Sequence, residues 1–200
     1  MDNRIKAIEF IEDKHEYWFT DAEGKHRRLH GVTKAIGEIT GKSFPDFKVD
    51  SIELGTIYGT DVHKEVENYF NNDGILSTEG AKWVVETLNN FAMEHCTICS
   101  KMTHCEVMVS DFEGTASKVD VVMHNFNTKE VYLFDIKTTS KFDREYCSLQ
   151  LSVYKRLYEE CYDEKVAGMY VLGTKSKRLF HILEKEASKV QKILDMNKAI

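Results

Sequence analysis

Two segments of this 200-residue chain decide the fold: residues 114–124 read GTASKVDVVMH, and residues 130–137 read EVYLFDIK. The second segment is apolar at several consecutive positions, which is typical of a central strand that is covered on both faces of its sheet. It nevertheless ends with Asp135 and Lys137, separated by one isoleucine. Charges at such a position are costly to bury unless they pair with each other or bind a metal ion.

The residues between the two segments predict a β-hairpin. A loop centred between Asn127 and Thr128 places Asp120 opposite Asp135. Side chains that face each other across two strands have Cβ atoms roughly 4.5–5.5 Å apart, and like charges there are destabilising. A cation between the carboxylates would remove that repulsion. Glu106, on the preceding predicted strand, adds a third carboxylate.

Three carboxylates and a lysine on consecutive strands suit metal-assisted hydrolysis of a phosphodiester. Carboxylate oxygens bind hard Mg²⁺ or Mn²⁺ ions. The ions stabilise the attacking and leaving oxygens, while a nearby lysine orients or deprotonates water. One alternative stays open, in which Asp135 only forms an ion pair with Lys137 at the end of its strand.

The rest of the chain predicts a mixed α/β fold, with helices on both faces of one sheet. We expect a single domain, in which residues 1–60 form an N-terminal hairpin and helical extension and residues 61–200 form the core. Thr60 is the expected N-cap of a helix, and residues 43–50 are an expected loop. The predicted helices cover Val32–Thr40, Asp61–Phe70, 77–94, 143–162 and 185–197. The predicted strands cover Ile5–Ile11, Glu16–Thr20, Lys25–Leu29, Cys105–Ser110, Ser117–Met123, Glu130–Lys137, Val166–Leu172 and Arg178–Leu183.

Composition excludes several classes of protein. One proline, eleven glycines and 30% charged residues exclude collagen-like and low-complexity chains. Without an 18-residue apolar run or a signal-like start, we expect a cytoplasmic protein with free thiols and no membrane partner. The net charge of −6 argues against a general polyanion binder. A metal ion held by carboxylates would still reverse the charge locally.

Several short motifs follow one another along the chain. They are His15-Glu16-Tyr17, Gly31-Val32-Thr33, Gly59-Thr60-Asp61-Val62-His63, Glu106, Asp120, Asp135-Ile136-Lys137, and Gln150 with Tyr154. In this order they resemble the PD-(D/E)XK nuclease superfamily, specifically its RecB-type exonuclease branch, which is common in phage recombination modules. The resemblance extends over nearly the whole chain. It departs from the family pattern at Ser117, where glycine is common, and at Gly31, which replaces a serine.

The resemblance implies a fold, a cofactor and a set of roles. The fold would be a central mixed sheet flanked by helices, with an N-terminal β-hairpin extension. One or two Mg²⁺ or Mn²⁺ ions would be the cofactor. Lys137 would serve the nucleophilic water, while Gln150 and Tyr154 would steady the substrate or the site. The metal ligands would be His63, Asp120, Asp135 and the backbone carbonyl of Ile136, with Glu106 serving a second ion.

Two of these roles have structural alternatives. His63 flanks the apolar face of its predicted helix, so it also suits a core or capping position. Gln150 and Tyr154 lie four residues apart, which also suits plain packing of a helix on the sheet. Lys118 and Lys141 are further candidates for contacts with phosphates.

A second metal site is a weaker prediction. Cys96, Cys99, His104 and Cys105 include a Cys-x-x-Cys pair, which could hold zinc. The alternative is that these thiols are buried. An iron–sulfur cluster, which some relatives carry, is not expected because no cysteine follows Cys161.

Together these patterns predict a metal-dependent deoxyribonuclease, with Glu106, Asp120, Asp135 and Lys137 as catalytic residues. We expect an exonuclease that acts on linear DNA with free ends, in phage-type recombination or repair, with a single-strand annealing protein or a helicase as a further partner. The alternatives are a catalytically silent nuclease-fold module that binds or inhibits, and a zinc-organised interaction domain.

Overall fold

The computed structural model describes residues 2–41, 49–95 and 103–198. Its fold is mixed α+β, with a three-stranded antiparallel sheet of order β1-β2-β3 and a five-stranded sheet of order β4-β5-β6-β7-β8. The strands are β1 (Ile8–Ile11), β2 (Glu16–Thr20), β3 (His26–Leu29), β4 (Thr103–Ser110), β5 (Ala116–Asn125), β6 (Glu130–Lys137), β7 (Val166–Gly173) and β8 (Arg178–His181). The helices are α1 (Val32–Thr40), α2 (Val49–Asn72), α3 (Glu79–His95), α4 (Arg144–Tyr162) and α5 (Ala187–Lys198).

The predicted hairpin is confirmed in its register. The β5–β6 ladder pairs Val121 with Phe134 and continues to Asn125 with Glu130, which is the pairing that the loop predicts. β6 then pairs parallel to β7, and α4 forms the crossover between them. The charged end of β6 therefore lies inside the sheet, between two other strands.

Helices cover both faces of the large sheet, as predicted. Alternating residues of β5 and β6 fill two separate clusters, and burial of each large apolar side chain contributes about 1.5–3 kcal/mol. The α4 cluster contains Val119, Val122, Val131 and Leu133 with Ile36, Leu151, Leu157 and Ile193. The α3 cluster contains Val121, Met123, Phe134 and Ile136 with Val62, Val84 and Leu88.

The small sheet docks on the large one through its inner face. Tyr17, Phe19 and Leu29 pack with Phe112 and Ala116. Backbone bonds also join the sheets, since the His30 N–H donates to the Gly114 carbonyl and the Ala116 N–H donates to the His30 carbonyl. This docking brings the N-terminal strands against β4 and β5.

The start of α2 differs from the prediction. Thr60 is not an N-cap, because α2 begins at Val49 and runs through that position. Gly55 and Gly59 lower the local helix propensity, so the sequence predicted that the helix begins only after them. Tertiary packing overrides this preference, and the helix runs through both glycines. A Cβ at position 59 would lie 2.9 Å from Thr138 Oγ1, so glycine lets α2 pass close to the end of β6. Of the predicted loop 43–50, residues 49 and 50 are helical and the rest lies outside the described residues.

Several other boundaries also differ, three of them near the ends of the sequence. Residues Asn3–Ala7 form a 3₁₀ turn, not the first part of a strand, because the Asp2 side chain accepts the Arg4 N–H and caps the turn. The last strand ends at His181, and the last helix begins at Ala187.

No helix within the described ranges is long and apolar enough to span a bilayer. Cys105, Cys147 and Cys161 are free thiols, as predicted for these three residues.

Candidate metal centre

Three side chains from three elements converge on one point. His63 of α2, Glu106 of β4 and Asp120 of β5 each offer a ligand atom, and these atoms lie within 4.8 Å of one another. His63 Nδ1 is 3.8 Å from Asp120 Oδ2. Among the residues that the structure describes, this is the one such group of three or more His, Cys, Asp or Glu side chains. Two carboxylates and an imidazole form a donor set that fits Mn²⁺ or Mg²⁺.

Both strands lose their regular alternation at the acidic residue. Glu106 has a φ of 54°, which is rare for a residue with a side chain. Its neighbours Cys105 and Val107 pack against opposite faces of the sheet, in the α3 and α4 clusters, although alternation would put them on one face. Val119 and Val121 are split in the same way around the aspartate of β5. Such local interruptions re-aim a side chain, and here they turn two carboxylates toward the histidine.

The side chain of Asp120 forms a hydrogen bond with the backbone of the neighbouring strand β6. The Ile136 N–H donates a hydrogen bond of 2.7 Å to Asp120 Oδ2. The backbone of β6 therefore fixes one carboxylate oxygen of the candidate metal group. The predicted ligand role of the Ile136 carbonyl stays a prediction.

Asp135 lies outside the group of three. Its side chain is buried, and the residue is 2% exposed. Lys137 Nζ lies 2.9 Å from its Oδ1 and 2.8 Å from its Oδ2. This contact is the ion pair that the sequence left open as an alternative, and a metal-ligand role for Asp135 stays a prediction.

The ion pair decides the charge state of Lys137. Burial alone would lower the pKa of its ammonium group, but the attraction and hydrogen bond of Asp135, together with the negative charge of Asp120 and the Cys147 thiol, outweigh burial and raise the pKa above its ordinary value. Burial raises the pKa of Asp135, and the ammonium group opposes that shift. While the pair is intact, Lys137 is a hydrogen-bond donor that can orient an oxygen, and it cannot act as a base toward water.

The electrostatics of Glu106 favour a cation. Burial raises the pKa of its carboxyl group to about 7, and the nearby charge of Asp120 adds to that shift. Lys118, with Nζ 3.6 Å from Glu106 Oε2, and His63 only partly offset it. A divalent ion at this point would lower that pKa, because opposite charge stabilises the carboxylate.

A cavity of about 560 Å³ opens beside the group of three. Its walls come from the small sheet, from α2 and from β4 and β5. The lining residues are Phe10, Glu12, His15, Gly59, Thr60, His63, Lys64, Glu67, Glu106 and Lys118. The volume lies within the range of about 300–1,000 Å³ that is usual for ligand sites.

The predicted substrate-binding residues fall into different places. Lys118 lines the cavity, and its Nζ lies 4.2 Å from the centre of the Phe10 ring. Lys141 is exposed and does not line the cavity. Gln150 and Tyr154 are buried, and Gln150 Oε1 accepts a hydrogen bond of 3.3 Å from Lys137 Nζ. Their positions suit steadying the site more than touching substrate.

Two buried residues near the site had no predicted role. Tyr17 of β2 lies beside Ser117 of β5, and the Ser117 hydroxyl forms a hydrogen bond with Tyr154. The sequence carried a signal for each, since Tyr17 belongs to a quoted motif and Ser117 departs from the family pattern. Neither signal indicated that the two residues meet.

Two of the four predicted zinc ligands, Cys96 and Cys99, lie outside the described residues. Cys105 Sγ lies 4.0 Å from the Val66 carbonyl oxygen, and burial raises the pKa of its thiol. The rings of His104 and His124 make an edge-to-face contact, with their centroids 5.3 Å apart. The zinc site stays a prediction.

The chain is structurally similar to a solved protein. No protein-family model matches the sequence, and no curated protein matches it. A solved structure of a protein from Eubacterium rectale, described as a "putative exonuclease", matches with a TM-score of 0.39 and 13% identity. The match covers 86% of this chain and 77% of that chain. Function must therefore be inferred from the residues of the site.

Proposed function

We propose that this protein is a metal-dependent deoxyribonuclease of the PD-(D/E)XK type, which hydrolyses DNA phosphodiester bonds with Mg²⁺ or Mn²⁺. The observation that carries the proposal is the convergence of His63, Glu106 and Asp120 beside a cavity, close to the half-buried, charged side chain of Lys137. Without a metal, the two carboxylates would repel each other, and Lys118 and His63 offset that repulsion only in part.

Each residue has a task in this proposal. His63, Glu106 and Asp120 hold the metal, which when bound stabilises charge on the phosphate and supplies a nucleophile from water. Asp135 keeps Lys137 charged and in place. Lys137 then donates a hydrogen bond to the attacking water or to a phosphate oxygen.

The walls of the cavity support an exonuclease. Phe10, Glu12 and His15 of the N-terminal segment face Thr60 and His63 of α2 across it. An open cleft bounded by a sheet and a helix would admit the end of a strand more readily than the middle of a duplex. We therefore propose linear DNA with free ends as the substrate, in the cytoplasm and in phage-type recombination or repair, with a single-strand annealing protein or helicase as a further partner.

Cleavage assays test the activity. End-labelled linear and covalently closed circular DNA, with RNA in parallel, is incubated with Mg²⁺, Mn²⁺ or EDTA. We expect progressive shortening of linear DNA with either metal, and an intact circle. Linearisation of the circle at a comparable rate would indicate an endonuclease, and binding without cleavage would indicate the catalytically silent module.

A matched pair of variants ties that activity to the site. Asp120→Asn removes a ligand charge and should abolish cleavage. Glu86→Gln changes an exposed acidic residue of α3 and should leave cleavage unchanged. Equal activity of both variants would contradict the proposed site.

A further inference from the structure

A line of hydrogen-bonded side chains leads from Ser117, which lies beside the small sheet, to Lys137. The Tyr17 side chain lies beside Ser117, in the cluster that also contains Ala116. The Ser117 hydroxyl bonds to Tyr154 Oη at 3.1 Å, and Gln150 Nε2 donates to the same oxygen at 2.9 Å. Gln150 Oε1 then accepts from Lys137 Nζ at 3.3 Å. The line thus runs from β5 through α4 to β6, and Tyr17 of β2 adjoins it at Ser117.

The other residues of this region are all buried, and none is more than 6% exposed; they are Tyr17, Ser117, Tyr154 and Gln150. Water therefore competes weakly for their polar atoms, and a lost partner leaves a donor or an acceptor unpaired. An unpaired buried polar group costs about 1–3 kcal/mol. Each member consequently restrains the orientation of the next.

The restraint matters most at the amide of Gln150. An amide presents an acceptor on one side and two donors on the other. Gln150 Nε2 donates to Tyr154 Oη, and this bond turns the acceptor Oε1 toward the ammonium group of Lys137. The reversed amide would place a donor against an ammonium group that also carries only donors. The hydroxyl groups of Tyr17 and Ser117 therefore help to keep the oxygen of the Gln150 amide, and not its NH₂ group, toward Lys137.

The same line reaches the wall of the cavity. Phe10, a lining residue, pairs with Tyr17 across the β1–β2 ladder, and the two ring centroids lie 4.8 Å apart. Tyr17 therefore links this wall to the residues that hold the lysine.

We propose that Tyr17 and Ser117 are positioning residues for Lys137, which act through Tyr154 and Gln150. This inference rests on the proposed nuclease function. The Ser117 hydroxyl, where the related pattern commonly has glycine, is the feature that joins the small sheet to the site.

Two substitutions and two controls test the proposal. Ser117→Ala and Tyr17→Phe each remove one hydroxyl, whereas Ser117→Thr keeps a hydroxyl at the same place. Ser152→Ala removes a buried hydroxyl of α4 that bonds to backbone groups of Ser148 and Lys185 and does not belong to the line. We expect kcat to fall about five- to tenfold in Ser117→Ala and Tyr17→Phe, the size of one weakened hydrogen bond. KM should stay within twofold, and Ser117→Thr should restore kcat.

A measurement without DNA separates this inference from the proposed function. In protein labelled with ¹⁵N-lysine, the Lys137 Nζ signal is assigned by its loss in Lys137→Arg, and its hydrogen exchange is measured. We expect faster exchange in Ser117→Ala and Tyr17→Phe, and unchanged exchange in Ser152→Ala. Unchanged exchange and unchanged kcat in both hydroxyl-deleting variants would overturn the inference. If the unmodified protein cleaves no DNA, the proposed function fails, while the exchange data still decide whether the line restrains Lys137.

Discussion

The carboxylate of Asp120 accepts the Ile136 N–H at 2.7 Å, just beyond the last backbone pair of the β5–β6 ladder. A side chain thus takes the place of a strand carbonyl. Asp120 consequently has two tasks, since it satisfies a backbone donor of the central strand and belongs to the candidate metal group.

The two tasks of Asp120 can be separated by substitution. Asp120→Asn keeps an oxygen that can accept the Ile136 N–H, so we expect loss of cleavage with little change in stability. Asp120→Ala also leaves that N–H unpaired, and we expect its free energy of unfolding to fall by about 1–3 kcal/mol. Urea unfolding in EDTA measures the stability, and cleavage of end-labelled DNA measures the activity. Equal stability of the two variants would show that the hydrogen bond contributes nothing.

Asp135 is predicted to stabilise the protein through Lys137. Asp135→Asn removes the counter-ion of a half-buried ammonium group, so we expect a lower free energy of unfolding, by about 1–3 kcal/mol. Because Lys137 then lacks its partner, Asp135→Asn combined with Lys137→Met should recover part of that loss. Urea unfolding of both single variants and the double variant measures the coupling. Strictly additive effects would show that the pair adds no stability.

The raised pKa of Glu106 predicts how stability depends on pH when metal is absent. The folded protein releases this proton near pH 7, whereas the unfolded chain releases it near 4.5. Between these values the folded state binds more protons, so the free energy of unfolding contributed by this group falls as pH rises. Urea unfolding in EDTA from pH 4.5 to 8 should show the fall, and Glu106→Gln should reduce it.

Metal should reverse that trend, because its ligands bind as carboxylates and protons compete with it. We expect the stabilisation by Mn²⁺ to increase from pH 5.5 to 7.5. If the metal-free protein instead became more stable over that range, and Glu106→Gln changed nothing, the raised pKa would be contradicted.

How much of the site follows from the sequence depends on how local each part is. The register that brings Asp120 near the end of β6 depends on one short loop and was predicted. The ligand role of His63 was predicted only from the family resemblance. Gly55 and Gly59 made the sequence predict a shorter helix, whereas α2 is one long helix. The positive φ of Glu106 could not be foreseen, because no local pattern requires it. The contact of Tyr17 with Ser117 depends on the docking of two sheets, which joins residues 100 positions apart.

Glu65 gives a prediction about stability that does not involve the site. Its carboxylate accepts the backbone N–H groups of Ser77 and Thr78 at 3.0 and 2.8 Å, as well as both hydroxyl groups. These bonds hold the segment that leads into α3. We expect Glu65→Ala to lower the free energy of unfolding by about 1–3 kcal/mol, because several donors lose their acceptor. Cleavage at a temperature where the variant is folded should be unchanged, and a specific loss of kcat would contradict this purely structural role.

Lys137 offers the sharpest test of the chemistry. Its ammonium group lies between the carboxylate of Asp135 and the amide oxygen of Gln150, so its position is set by two buried acceptors. If only a positive charge were needed, Lys137→Arg would keep most of the activity. The planar guanidinium group is larger and donates in a fixed fork, so it cannot occupy the place of a compact ammonium group. We therefore expect Lys137→Ala and Lys137→Arg to lose at least about a hundredfold in kcat, the usual range for one removed catalytic donor.

Calorimetric titration with Mn²⁺ completes the Lys137 test. The group of three does not include the lysine, so both variants should bind the ion within a fewfold of the unmodified affinity. Lys118→Met is the matched control, since it removes an ammonium group that faces Glu106 within the cavity. Because that change removes a competing positive charge from the ligand, it should strengthen Mn²⁺ binding. Loss of Mn²⁺ binding in the Lys137 variants would instead assign Lys137 to the structure of the metal centre.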